Sequence, residues 1–188
     1  MRVIAGKYKG RKLNSPEDNN VRPTTDKAKE ALFSILTNDI YGARVLDLFA
    51  GTGGLGIEAL SRGASYCVFA DSSKRSLSLI KSNLEHCKVE EPTRVAAGDY
   101  RKVLKNLAGR IEDGLEEPFD IILLDPPYDA GFMDETFRLI AEGGVLADGG
   151  MIVAEHRKHE ELPENLRGFT RTKERRYGVV KLSIYNNM

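Results

Sequence analysis

The sequence predicts an α/β fold, a doubly wound and mainly parallel sheet with helices on both faces, preceded by a small N-terminal extension. Three observations lead there. From Arg44 onward short apolar runs alternate with amphipathic segments, the rhythm of repeated strand–helix units. The runs "RVLDLFA", "YCVFAD" and "FDIILLD" are almost continuously apolar, as strands covered on both sides must be. A glycine-rich turn, "GTGGLG", joins the first run to the helix after it.

The elements follow in order. Residues 2–13 mix β-branched residues, two glycines and cations, and read as a small hairpin; residues 14–20 are polar and turn-rich, a loop. Ala28, Ala31, Leu32, Ile35 and Leu36 then recur at helical spacing, with Thr24, Thr25 and Asp26 offering N-cap oxygens. Residues 1–40 are therefore the extension and residues 41–188 the main domain. Strands are expected at 44–50, 66–71, 93–99, 119–125 and 150–156, and a final one within 175–185. Helices are expected at 55–63, 74–87, 100–108 and 132–143, with an acidic loop at 109–118.

With 188 residues the chain suffices for one good core. No apolar run approaches the roughly 18 residues of a membrane span, and "MRVIAGKYKGRK" lacks the apolar core of a signal peptide. A cytoplasmic protein is expected. Cys67 and Cys87 sit in periodic apolar segments and read as reduced core residues. The net charge is 0, but it is unevenly spread. Residues 1–29 hold eight cations and three acids, giving +5; residues 157–188 hold eight and four, giving +4; the middle carries −9. Both ends are basic. If they meet in space, they build one basic face suited to a polyanion.

Gly51, Gly53 and Gly56 fit G-x-G-x-x-G between a strand and a helix, and Asp71 ends the next strand 20 residues after Gly51. Such an acid accepts hydrogen bonds from ribose hydroxyls, so the pair describes an adenosine-binding crevice at the carboxyl ends of the strands. The loop alone serves a dinucleotide oxidoreductase, an S-adenosylmethionine enzyme or a plain structural turn. Asp47, four residues before Gly51, favours the second, because a sulfonium and ammonium ligand attracts carboxylates whereas a pyrophosphate repels them. Asp99 closes the third strand. It reads either as an acceptor for an adenine amino group or as a helix N-cap before Tyr100.

Asp125-Pro126-Pro127-Tyr128 ends the most apolar strand. A turn with a rigid Pro-Pro kink is the plain reading. The chemical reading is sharper. The exocyclic amine of a nucleobase is a poor nucleophile because its lone pair is delocalised into the ring. A carboxylate and a backbone carbonyl accepting its two N–H bonds hold the amine and stabilise the positive charge that develops on it. The prolines stiffen that acceptor pair, and Tyr128 offers a face on which an unstacked base rests.

With these motifs in order, the sequence resembles the amino-group branch of the class I S-adenosylmethionine methyltransferases. More closely, it resembles the bacterial RsmD family of 16S rRNA guanine-N2 methyltransferases. The likeness rests on "RVIAGKYKGRKL", "RPTTDKAKEALFSIL", "VLDLFAGTGGLGIEALSRGA", "FDIILLDPPY", "IVAEH" and "RRYGVVKLSIY". It implies a Rossmann-like sheet of seven strands, S-adenosyl-L-methionine as methyl donor and S-adenosyl-L-homocysteine as product. It implies that Asp125, Pro126, Pro127 and Tyr128 are the catalytic motif for a guanine 2-amino group. Asp47, Phe49, Gly51 and Gly53 would line the methionine end of the cofactor, Asp71 the ribose and Asp99 the adenine, with Ser72 and Tyr100 also among the cofactor-binding residues. Arg22, Thr24 and Thr25 would lie over the cofactor, near its carboxylate. Lys7, Lys9, Arg11 and Lys12 would touch RNA phosphates. The implied partner is 16S rRNA within an assembling or assembled small ribosomal subunit, met by a monomer. Asp71 stands where the family often has Glu, a shorter but equivalent carboxylate.

The segment Glu155-His156-Arg157-Lys158-His159-Glu160 lacks metal-site spacing and follows a strand, so no metal is expected. Three rival functions remain at this level: a DNA adenine-N6 methyltransferase, for which 188 residues leave little room for target recognition, an NAD-type oxidoreductase, and a non-catalytic RNA-binding assembly factor.

Overall fold

The computed structural model describes residues 1–15, 26–127 and 131–187. Its elements are α1 (Asp26–Ile35), β1 (Arg44–Leu48), α2 (Gly54–Ser61), β2 (Tyr66–Asp71), α3 (Lys74–His86), β3 (Thr93–Ala97), α4 (Tyr100–Glu112), β4 (Phe119–Leu124), α5 (Phe132–Glu142), β5 (Leu146–Arg157), β6 (Asn165–Leu166), β7 (Phe169–Tyr177) and β8 (Val180–Asn187). They build one sheet in the order β3-β2-β1-β4-β5-β8-β7-β6. β3 to β5 run parallel, and β8, β7 and β6 are antiparallel. The strand order reverses between β1 and β4, which opens a crevice at their carboxyl ends. The sheet holds eight strands where the family resemblance implied seven. The extra one is the two-residue β6 at the edge.

Alternation along each strand divides the core into two layers. Val45, Ile121, Leu123, Val153, Leu182 and Ile184 face α1, α2, α3 and the N-terminal arm. Leu46, Leu48, Ile122, Leu124, Ile152 and Tyr185 face α4 and α5. Cys67 and Cys87 are both free and buried. Among the described residues no helix is long and apolar enough to cross a membrane.

Two local readings need correction. Helix α4 continues to Glu112, so the acidic loop is shorter than 109–118. Glu116 in that loop is almost fully buried; it pairs with Arg44 and lies 3.3 Å from Arg94, tying the amino ends of β1 and β3. The expected single final strand is two strands, β7 and β8. "FTRTKERRY" has no apolar alternation because much of it faces solvent, and its strand state comes from backbone pairing with β8.

The N-terminal segment is an arm closed by one antiparallel bridge, Arg2 to Lys12, rather than a hairpin with regular strands. It is fastened to α2. Glu58, fully buried, accepts from Ile4 N at 2.8 Å and Ala5 N at 3.1 Å, and meets Lys29 of α1 at 3.2 Å and Arg62 at 2.8 Å. Ser61 Oγ donates to Ala5 O at 2.5 Å and accepts from Tyr8 N at 2.9 Å. One carboxylate thus satisfies two backbone donors and two cations that would be costly to bury alone.

Candidate active site

The crevice is built by the turns that leave β1, β2 and β4. After β1 the chain passes through Phe49 at φ 73° and Gly51 at φ 56° to Gly53 at φ 78°. Gly53 heads α2 in the left-handed region that glycine enters without strain, and no side chain caps the helix there. Of the first-turn amides, Gly56 N is taken by Asp47, and those of Gly54 and Leu55 face the crevice end, where an anionic group would be favoured. Gly56 permits close packing on β2: a Cβ there would stand 2.3 Å from Phe69. Phe49 is different. A bulky residue with positive φ is strained, and its ring is held by Phe132 at 5.9 Å and Tyr100 at 5.5 Å between centroids.

Three carboxylates converge on this edge. Asp47 is buried, and its Oδ2 accepts from Gly56 N at 2.8 Å. Burial, with Asp125 and Asp71 adding negative potential, pushes its carboxyl up to about 7. Asp71 accepts from Gly51 N at 2.9 Å and Ser73 N at 2.8 Å, locking the glycine turn to the head of α3. Asp125 follows β4 directly, half-buried, with Pro126 buried and Pro127 exposed. No ion pair among the described residues involves Asp47 or Asp71. A concentration of negative charge of this kind suits a cationic ligand.

Asp99 takes the N-cap role: its Oδ1 accepts from Arg101 N at 3.0 Å. Ser72, beside Asp71, is exposed. Tyr100 is buried, packs at a tilt against the rings of Phe49 and Phe132, and donates from its hydroxyl to Glu135 at 2.7 Å. Burial and that carboxylate push its phenol up to about 12. The crevice edge therefore brings together Asp47, Phe49, Gly51, Gly53, Asp71, Ser72, Asp99, Tyr100, Asp125, Pro126 and Pro127. Arg22, Thr24, Thr25 and Tyr128 lie outside the described residues.

Two participants escaped the sequence reading. Phe132 completes the aromatic wall; its signal was an aromatic at the first position of the helix after the D-P-P-Y turn. Asn83 is fully buried in α3. Its amide donates to Thr52 O at 2.9 Å and Asn14 O at 3.0 Å, and its Oδ1 accepts from Asn14 N at 2.7 Å. It ties the arm to the glycine turn, and only a buried polar residue on an otherwise apolar helix face hinted at it.

The arm's cations diverge. Lys7 Nζ bonds Glu90 and Glu91, both at 2.9 Å, and these carboxylates raise its ammonium above the usual lysine range. Arg11 lies over the Tyr8 ring, 4.8 Å from its centroid. Lys9 and Lys12 are exposed. His156 is buried against Ser183 Oγ at 2.9 Å inside the β5–β8 pair. Among the described residues no group of three His, Cys, Asp or Glu is placed to hold a metal ion.

The family model described as "Conserved hypothetical protein 95" matches residues 1–186. YlbH of Bacillus subtilis is 41% identical over 98% of both chains. The Escherichia coli protein named ribosomal RNA small subunit methyltransferase D is 34% identical, covering 98% of this chain and 89% of its own. Among solved structures, yhhF from Escherichia coli superposes with a TM-score of 0.84 at 31% identity, covering 100% of this chain and 97% of that one. The sheet order and crevice are those of the class I S-adenosylmethionine-dependent methyltransferases, and the chain belongs to the RsmD family.

Proposed function

We propose that the protein transfers a methyl group from S-adenosyl-L-methionine to the exocyclic N2 of a guanine in the 16S rRNA of the small ribosomal subunit. The observation that carries this reading is the convergence of Asp47, Asp71 and Asp125 on one crevice edge, beside an uncapped helix start and an aromatic wall. That set fits a ligand with a sulfonium and an ammonium, a carboxylate and a flat base. It would oppose the pyrophosphate of a dinucleotide.

The cofactor supplies an electrophilic methyl carbon on its sulfonium. Asp47 and the glycine turn would hold its aminoacyl end, Asp71 with Ser72 its ribose, and Phe49, Asp99, Tyr100 and Phe132 its adenine. Asp125 and the Pro126 carbonyl accept from the guanine amine, orient its lone pair and stabilise the charge that forms on nitrogen. Tyr128 supplies the stacking face for the extruded base. Lys9 and Lys12, with Arg11 and the already paired Lys7, guide RNA phosphates.

Transfer of tritium from labelled S-adenosyl-L-methionine tests this. Small subunits from a strain lacking the protein should accept label at guanine N2, and duplex DNA should not. Label on adenine in DNA would sink the substrate assignment. An Asp125→Ala protein that methylates rRNA at the wild-type rate would sink the mechanism.

A further inference from the structure

We propose that the outer part of β7 and the β7–β8 turn form a second phosphate-binding surface for the RNA, continuous with the active-site edge; this rests on the RNA-methylating reading above. The placement follows from register. Leu124, which precedes Asp125, pairs with Ala154, and three residues later Arg157 pairs with Val180 at the start of β8. Tyr177 pairs with the same Val180, so Gly178 and Val179 make a two-residue turn, with Gly178 at φ 61°. That turn projects past the carboxyl edge on which Asp125 sits.

Lys173, Arg175 and Arg176 approach the turn along β7, and all three are exposed. Their cross-strand partners are Ile184, Leu182 and Lys181. Lys173 and Arg175 thus share the sheet face that carries the arm and α1, about 7 Å apart along the strand, a spacing that suits successive phosphates. Glu174 between them points to the other face, where Lys181 at 3.2 Å, Arg171 at 3.0 Å and Ser183 at 3.2 Å engage it. Among the described residues none of the three cations forms an ion pair. Lys158 brings another exposed cation to the tip, its amide bonded to Val179 O at 3.0 Å.

Cations on an edge strand also discourage strand-to-strand aggregation. That purpose is met by charge anywhere along β7. Three exposed charges of one sign, without ion pairs among the described residues and running from the middle of β7 to its end at the active-site edge, answer to a polyanion.

The test uses a full-length 16S rRNA transcript as probe, the intact chain and a Lys173→Gln/Arg175→Gln/Arg176→Gln variant. Binding is measured across a salt series, beside S-adenosyl-L-homocysteine affinity and thermal unfolding. The slope of log affinity against log salt should fall by about 2 in the variant, for three lost contacts at about 0.7 each. Affinity at about 0.1 M salt should fall at least tenfold, with cofactor affinity and unfolding unchanged. An unchanged slope overturns the proposal, as does self-association in sedimentation that requires the three cations. Wild-type RNA binding without methyl transfer would instead overturn the methyltransferase reading and leave this surface standing.

Discussion

The N-terminal arm and the β7–β8 hairpin look alike as sequence: residues 1–29 carry +5 and residues 157–188 carry +4. In the fold their cations part company. In the arm and α1, Lys29 is buried against Glu58, Arg2 meets Asp26 at 3.5 Å, Lys7 is held by two carboxylates and Arg11 lies over a tyrosine. On the hairpin, Lys173, Arg175 and Arg176 stand in solvent without ion pairs among the described residues. Formal charge is thus a poor guide to surface potential. Internal acids neutralise cations that fasten a segment, and those left over act on a ligand. The arm ties down Arg2, Lys7, Arg11 and Lys29 and leaves Lys9 and Lys12 exposed; the hairpin ties down Arg171 and Lys181 and leaves Lys173, Arg175 and Arg176 exposed.

The largest expected effect is on the arm's anchor. Glu58→Ala takes the carboxylate from buried Lys29, leaving it the Arg2 carbonyl, and the acceptor from the Ile4 and Ala5 amides. Stability should fall by about 3–5 kcal/mol in urea unfolding; a loss under about 1 kcal/mol would mean that the arm is not held as described. Asn83→Ala removes three partly buried hydrogen bonds, two that join α3 to the arm at Asn14 and one that joins it to the glycine turn at Thr52. It should cost about 1–3 kcal/mol and weaken cofactor binding as well. Stability loss with unchanged cofactor affinity would confine Asn83 to the arm.

Asp47 tests the crevice against both basic segments. Its carboxyl titrates at about 7 in the folded chain, against an ordinary 3.8. Between about pH 4 and pH 7 the folded chain therefore binds a proton that the unfolded chain has released. The group adds stability at the acid end of that window and loses it as pH rises to 7. Asp47→Asn should flatten that part of the stability profile while lowering affinity for S-adenosyl-L-methionine at pH 8, where the carboxylate is ionised. Equal pH slopes in both proteins would remove Asp47 from this account.

The smallest effect is expected at Lys7→Met. An exposed pair is screened by salt, so thermal unfolding should stay near wild type. A large drop would move Lys7 into the group of buried anchors and sharpen the division between arm and hairpin.

Much of the fold was legible because parallel strands buried on both faces must be apolar, as in "FDIILLD", and because a G-x-G-x-x-G between strand and helix has few structural meanings. The strand-terminal acids were legible for the same reason: a carboxylate after an apolar run asks for a partner. β7 was hidden. A solvent-facing strand covered on its outer side only by the two-residue β6 has no apolar rhythm, and it is mainly its ladder with β8 that makes it a strand. The roles of Glu58 and Asn83 were hidden too, since nothing local in α2 or α3 announces a partner some 54 or 69 residues away.

By itself the sequence determined the layer order, the glycine turn, the acids that end β1, β2 and β4, and membership of a family, because these depend on local pattern and short spacing. The tertiary structure alone decided which of those acids is buried and titrates near neutrality, and that Asp99 caps a helix. It also decided which cations stand outside ion pairs among the described residues. Burial and charge pairing are properties of neighbours in space, and the chain order does not contain them.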